Sequence, residues 1–156
     1  MKDEQWTEGG ELVTALILDV FRLNGQLVLA GDRLVEKLGL TSARWQVLGA
    51  IANAERAESV AWHARTMGVH RQGVQRIVND LRKEDIVEFQ PNPHHKRAQL
   101  VVLTSKGQKL YEEAMSLQTP WVNSLSDGLS SKDISTAKSI IEHLKKSLEE
   151  TALEKD

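Results

Sequence analysis

Apolar residues recur along this chain at two spacings, and the places where the spacing changes divide it into elements. From Glu11 to about Ala30, Leu12, Val13, Leu16, Ile17, Val20, Leu23, Leu27 and Val28 form a helical stripe broader than a surface helix needs. Gly31 can end this helix, and Leu34, Val35 and Leu38 continue a short helical turn before Gly39. Thr41 or Ser42 can cap a second helix, Ala43 to Ala54, with Trp45, Leu48 and Ile51 turned inward. Val60, Ala61, Ala64 and Met67 predict a short third helix ended by Gly68, because glycine tolerates the left-handed conformation. Val74, Ile77, Val78 and Leu81 then recur at i, i+3, i+4 and i+7, which predicts a helix from Arg71 to Lys83.

Beyond Lys83 the pattern turns β-like. Ile86 to Phe89 and Leu100 to Leu103 are β-rich runs around Pro91-Asn92-Pro93-His94-His95-Lys96-Arg97, and Glu58-Ser59 can add a short third strand. Thr104 can cap a long helix carrying Leu110, Ala114 and Leu117, and Pro120 predicts a kink or a restart near Thr119. Asp127-Gly128 reads as a turn. Ser130 with Asp133 resembles a capping box for a last helix striped by Ile134, Ala137, Ile141, Leu144 and Leu148. Residues 1–10 read as frayed, with Gly9-Gly10 ahead of the first helix.

Two helices joined by a short glycine-containing turn make a helix-turn-helix, and a following hairpin makes it winged. The expected fold is therefore mainly α with a small β-wing, in one domain over 1–156. A winged helix-turn-helix lobe spans 41–103, and terminal helices at 11–30 and 105–152 serve dimerisation. The terminal helices are more apolar than so small a lobe requires. A two-fold dimer would set two recognition helices about 34–36 Å apart, matching a palindromic site.

The polar face of the helix from Arg71 to Lys83 changes the picture. It carries Gln72, Gln75, Arg76 and Asn79, with Arg71 at its N-terminal edge and no acid before Asp80. A solvated face would mix Glu with Lys and place acid in the first turn, where it complements the helix dipole. Arginine pairs with guanine, and glutamine or asparagine with adenine, through base edges in the major groove. Arg71, Gln72, Gln75 and Arg76 are therefore read as base or phosphate contacts, and His70 and Asn79 as phosphate contacts. Lys96 and Arg97, with His95, form a basic wing tip, and an arginine there can enter a narrow minor groove. Between Val60 and Arg97 seven Lys or Arg stand against four acids, a surplus of three positive charges in a chain of net −2. Four of the five histidines, at 63, 70, 94 and 95, fall in the same segment. A basic patch on an acidic body is the footprint of a nucleic-acid binder.

Other chemistries find little support. There is no cysteine, so disulfides and thiolate metal sites are excluded for this chain. The charged start, Met1-Lys2-Asp3-Glu4-Gln5, leads into no signal-peptide core. No apolar run approaches the roughly 20 residues of a membrane span, so a cytoplasmic protein is expected. The pair His94-His95 lacks partners for a metal site, although its protonation would strengthen phosphate contacts at lower pH. No phosphate loop, zinc-protease motif or nucleophile elbow is present, and no cofactor is called for. A winged helix serving only as a protein–protein adaptor is the alternative, but it has no need for an acid-free Arg/Gln face.

The chain resembles the MarR family of transcriptional regulators over nearly its whole length. The resemblance rests on Arg44-Trp45-Gln46-Val47-Leu48, Met67-Gly68-Val69-His70-Arg71-Gln72 and Val78-x-x-Leu81. It rests above all on Asn92-Pro93-His94-His95-Lys96-Arg97-Ala98 followed by Leu103-Thr104-x-x-Gly107. It implies a homodimer on double-stranded DNA, a repressor rather than an activator, and Arg97 as the wing arginine. It also implies an aromatic or anionic effector between dimerisation helices and DNA-binding lobe, for which Arg22, Arg44, Trp45, Trp62 and Trp121 are candidates. Two departures stand out. His95 replaces the acid usually found two residues before the wing arginine, and Asp85 replaces a glycine that commonly closes the recognition helix.

Overall fold

The structure is a computed structural model that describes residues 6–153. Helix α1 runs from Glu8 to Val35, longer at both ends than expected. At its start the Thr7 hydroxyl accepts from Gly10 N at 3.0 Å, and Glu8 and Glu11 occupy the first turn. A cap and two acids at the positive end of the dipole offset the roughly 1 kcal/mol helical cost of each glycine, so Gly9 and Gly10 are helical rather than frayed. Met1 to Gln5, also expected to fray, lie outside the described residues.

Gly31 does not end α1 either. It is buried inside the helix, and a Cβ there would strike the Ser42 hydroxyl. Ser42 Oγ donates to Val28 O at 2.7 Å, and Ser42 N donates to Asp32 Oδ1 at 2.6 Å. The glycine marks a close helix crossing, not a stop. A 3-10 turn at Glu36–Leu38 and left-handed Gly39 lead into α2, Ser42–Ala52, where Thr41 accepts from Arg44 N. Leu48 and Ile51 are buried as expected, together with Val47, while Trp45 is only half-buried.

Strand β1, Glu58–Ser59, precedes α3, Val60–Met67, and Gly68 ends that helix at φ 68°. Helix α4 then spans Arg71–Lys83, as the periodicity predicts, and buries Val74, Val78 and Leu81. Strands β2, Val87–Gln90, and β3, Leu100–Leu103, complete an antiparallel sheet in the order β1-β3-β2, with Phe89 opposite Val101 and Gln90 opposite Leu100. The buried core joins Val35, Leu48, Ala64, Val74, Val78, Leu81, Val87, Val101 and Ala114, so helices and wing share one apolar centre.

Helix α5 spans Ser105–Leu125 and α6 spans Ser131–Leu153. The expected restart at Pro120 is not found: one lost bond to the Ser116 carbonyl does not interrupt the helix. The chain divides into two compact units beside this proline, between Gln118 and Thr119. In the second unit a turn with Gly128 at φ 80° precedes α6, and Ser130 Oγ accepts from Asp133 N while donating to its carboxylate. Apolar side chains on α6, including Ile134, Ile141 and Leu148, are exposed in the single chain.

Helix α1 is exposed too, with Leu12, Phe21 and Leu29 among its uncovered side chains. Contrary to the sequence expectation, this one helix is long and apolar enough, by length and composition, to cross a membrane. Asp19 and Arg22 interrupt its apolar stripe, so no unbroken run of about 20 apolar residues stands out in the sequence. Asp19 and Arg22 pair at 3.0 Å, which lowers their cost on an apolar helix.

Candidate nucleic-acid interface

The inward stripe of α4 fixes where its polar residues go. With Val74, Val78 and Leu81 against the core, Arg71, Gln72, Arg76 and Asn79 are exposed and Gln75 is half-buried. These five line one open groove, with Asp80 and Lys83 at its far end. Gln75 Nε2 donates to Asn79 Oδ1 at 3.0 Å, so two amides that can pair with adenine are oriented before any ligand arrives. Asp80, the first acid on the face, is paired with Lys83 at 3.1 Å.

His70 is the N-cap residue but makes no side-chain cap bond, so its exposed ring remains free for a ligand.

The wing meets this face at a second groove of about 270 Å³, lined by Arg71, Gln75, Asn79, Arg82, Phe89 and Arg97 among others. Three guanidinium side chains and no acid border it. His95, Lys96 and Arg97 are all exposed at the wing tip. The structure thus gathers Arg71, Gln72, Gln75, Arg76, Asn79 and Arg97 along two adjoining open surfaces, while His70 lines neither and lies exposed at the N-cap of α4. Arg82 is a member that the sequence reading missed. Its guanidinium stacks over the Phe89 ring at 5.2 Å, an attraction of about 0.5–1 kcal/mol at an exposed site. Its position eleven residues after Arg71, three helical turns, was the available signal.

Further contacts hold the recognition helix from behind. Asp85 adopts φ 57°, the left-handed conformation that a glycine would take, and Ile86 N donates back to Leu81 O at 2.9 Å. The helix therefore terminates as a glycine-closed one would, and the departure changes the energy rather than the path. Thr104 Oγ1 donates to Asp85 O at 2.6 Å and accepts from Gly107 N at 3.0 Å. A Cβ on Gly107 would strike the Ile86 carbonyl. The Thr104-x-x-Gly107 motif is thus the joint between α4 and the start of α5.

Arg44 belongs to the same joint. It forms an ion pair with Glu84 at 2.7 Å and donates to Gly39 O at 3.1 Å, while Lys106 Nζ donates to Glu84 O at 2.7 Å. Of the other effector candidates, Arg22 is exposed and paired with Asp19, and Trp45 packs over Gly31. Trp62 is half-buried, edge-on to His63 at 5.2 Å, and Trp121 is half-buried in the second unit. His63 itself is buried with neither ring nitrogen hydrogen-bonded, so it lies in the core and not in the basic patch. Burial lowers its pKa, and nearby Glu58 opposes the shift. Among the described residues no cluster of three or more His, Cys, Asp or Glu could hold a metal.

Comparison with known proteins agrees with this geometry. Residues 38–98 match the model of the MarR family. The chain is 40% identical over 100 residues to the uncharacterized protein Rv2011c of Mycobacterium tuberculosis, covering 64% of this chain and 68% of that one. It is 31% identical over 104 residues to the transcriptional activatory protein BadR of Rhodopseudomonas palustris, covering 65% of this chain and 59% of BadR. Its fold is similar to the transcriptional repressor CouR bound to a 23-mer DNA duplex, with a TM-score of 0.73 at 20% identity over 90% of this chain and 99% of that one. CouR from Rhodococcus jostii has also been solved with p-coumaroyl-CoA, and there the TM-score is 0.72 at 18% identity over 80% and 87% of the two chains. With its winged fold and these relatives, the chain belongs to the MarR family of DNA-binding transcription regulators.

Proposed function

We propose that this regulator is a cytoplasmic, homodimeric, ligand-responsive repressor that reads a palindromic operator. One observation carries the reading: Arg71, Gln72, Gln75, Arg76 and Asn79 share one solvent-facing groove, which continues into a second groove bordered by Arg97 of the wing. In the major groove these side chains read bases or adjacent phosphates, with His70 at the flank. Lys96, Arg97 and His95 hold the neighbouring minor groove, and Arg82 adds charge between the two.

Dimerisation is supported by the exposed apolar side chains of α1 and α6. Regulation follows from the joint behind α4. An anionic effector that takes over Arg44 deprives Glu84 of its partner and loosens the C-terminal end of the recognition helix. It shifts the population of DNA-competent dimers only by its differential affinity for the two forms. Trp45, Trp62, Trp121 and Arg22 remain candidates for an aromatic or anionic ligand, and the p-coumaroyl-CoA complex of CouR supports that ligand class. A second reading, activation in place of repression, is favoured by the activatory function named for BadR.

Fluorescence anisotropy tests the proposal on a labelled duplex from upstream of the protein's own gene, beside a scrambled duplex, at two salt concentrations. The upstream duplex is expected to bind tighter, to weaken with salt, and to lose affinity with Arg97→Ala. That variant should also lower the salt slope by about 1. Absence of binding to either duplex at low salt would instead favour a protein–protein adaptor.

A further inference from the structure

The wing arginine is held without a carboxylate. Arg97 makes no ion pair with any described residue, no acid lies between Glu88 and β3, and its side chain is exposed. Something else must set where it projects. The last paired residues of the hairpin are Gln90 and Leu100, so Asn92 and Ala98 stand two residues further out on each arm. Pro91 and Pro93 flank Asn92 and have no N–H to donate, so the backbone ladder cannot be carried outward by those positions.

The Asn92 side chain supplies the missing rung. Its Nδ2 donates to Ala98 O at 2.8 Å across the neck of the loop, and its Oδ1 accepts from His94 N at 3.0 Å. Backbone bonds from His95 N to Asn92 O at 3.3 Å and from Ala98 N to His95 O at 3.0 Å then stack two turns on that neck. Lys96 and Arg97 are the two central residues of the outer turn. Asn92 is half-buried while every residue from Pro93 to Arg97 is exposed, which places the brace at the base and the charge at the tip.

We propose that Asn92 is the positioning residue of the wing, bridging its two arms so that Arg97 is presented to DNA in one orientation. This rests on the DNA-binding reading above. Without the bridge the neck opens and Arg97 must be ordered during binding, which costs affinity.

The test is a double-mutant cycle on the full-length protein, read by anisotropy at low salt on the labelled upstream duplex, with melting temperature measured alongside. Asn92→Ala is expected to weaken binding about 3- to 10-fold, the range of one hydrogen bond, with melting unchanged. In an Arg97→Ala background it should have no further effect, because the two residues act as one. Asn92→Ser retains a hydroxyl that can accept from His94 N but is too short to reach Ala98, and should weaken binding as Asn92→Ala does. Unchanged binding by Asn92→Ala, the same factor lost in the Arg97→Ala background, or wild-type binding by Asn92→Ser would each overturn the proposal. If Arg97→Ala alone has no effect, or the wild type binds no duplex, the DNA-contact reading itself fails and takes this proposal with it.

Discussion

Asp85 is the only non-glycine among the described residues with a positive φ, 57°. Aspartate tolerates the left-handed region better than most residues, yet it still pays a steric cost there that glycine avoids. Asp85→Gly is therefore expected to stabilise the protein by about 0.5–1 kcal/mol, seen as a rise of a few degrees in melting temperature. A fall on this substitution would show that the Asp85 side chain contributes an interaction outweighing the strain. His63 makes a different kind of prediction. Its folded-state pKa lies below the ordinary histidine value because burial disfavours the charged ring. Above about pH 6.5 the ring is neutral both folded and unfolded and has no influence on pH dependence. As pH falls through that value the unfolded chain takes a proton that the folded chain refuses, and stability drops toward the lowered pKa. Urea midpoints at pH 7.5 and 5.5 should differ less in His63→Leu than in the wild type. An equal loss in both would assign the acid sensitivity to other groups.

Among the elements, α4 is tied at its C-terminal end to the start of α5 and to α2. Thr104, Lys106 and Gly107 at the start of α5 grip the backbone from Glu84 to Ile86, and Arg44 of α2 grips the Glu84 carboxylate. Gly107→Ala places a Cβ against the Ile86 carbonyl, so the backbone must shift to admit it. It should cost about 1–3 kcal/mol of stability, the usual range for overpacking. Arg44→Ala removes the ion pair to Glu84 and the hydrogen bond to Gly39 O without a clash, and is expected to weaken DNA binding more than it lowers melting temperature. Equal DNA affinity in wild type and Arg44→Ala would leave the ion pair without a role in holding the recognition helix.

For the whole molecule, the apolar faces of α1 and α6 pose the largest question. Phe21 is 69% and Leu148 72% exposed in the single chain, and large apolar side chains left uncovered along a helix point to an interface on each. The paired Asp19 and Arg22 on α1 suit a protein interface with a wet rim better than a lipid core. Sedimentation at micromolar concentration is expected to give twice the chain mass, without detergent. A monomer under those conditions would remove the dimer, and with it the palindromic operator.

Local periodicity was enough to place α3, α4, the hairpin strands, the short β1 and the capping of α6, because each depends on neighbours within a turn or a rung. It was also enough to place the polar face of α4 outward, since burying Val74, Val78 and Leu81 forces Gln72, Arg76 and Asn79 into solvent. Where the structure departs from the sequence expectation, a distant partner decides the outcome. Gly31 resembles a helix end until Ser42 is packed against it. Arg44 resembles a surface charge until Glu84, forty positions later, is paired with it. His63 looked like surface charge because a lone histidine in a basic segment carries no local mark of burial. The pattern along the chain encodes which side of each helix faces inward; close approach, charge pairing and desolvation are set between elements, and only folding brings them together.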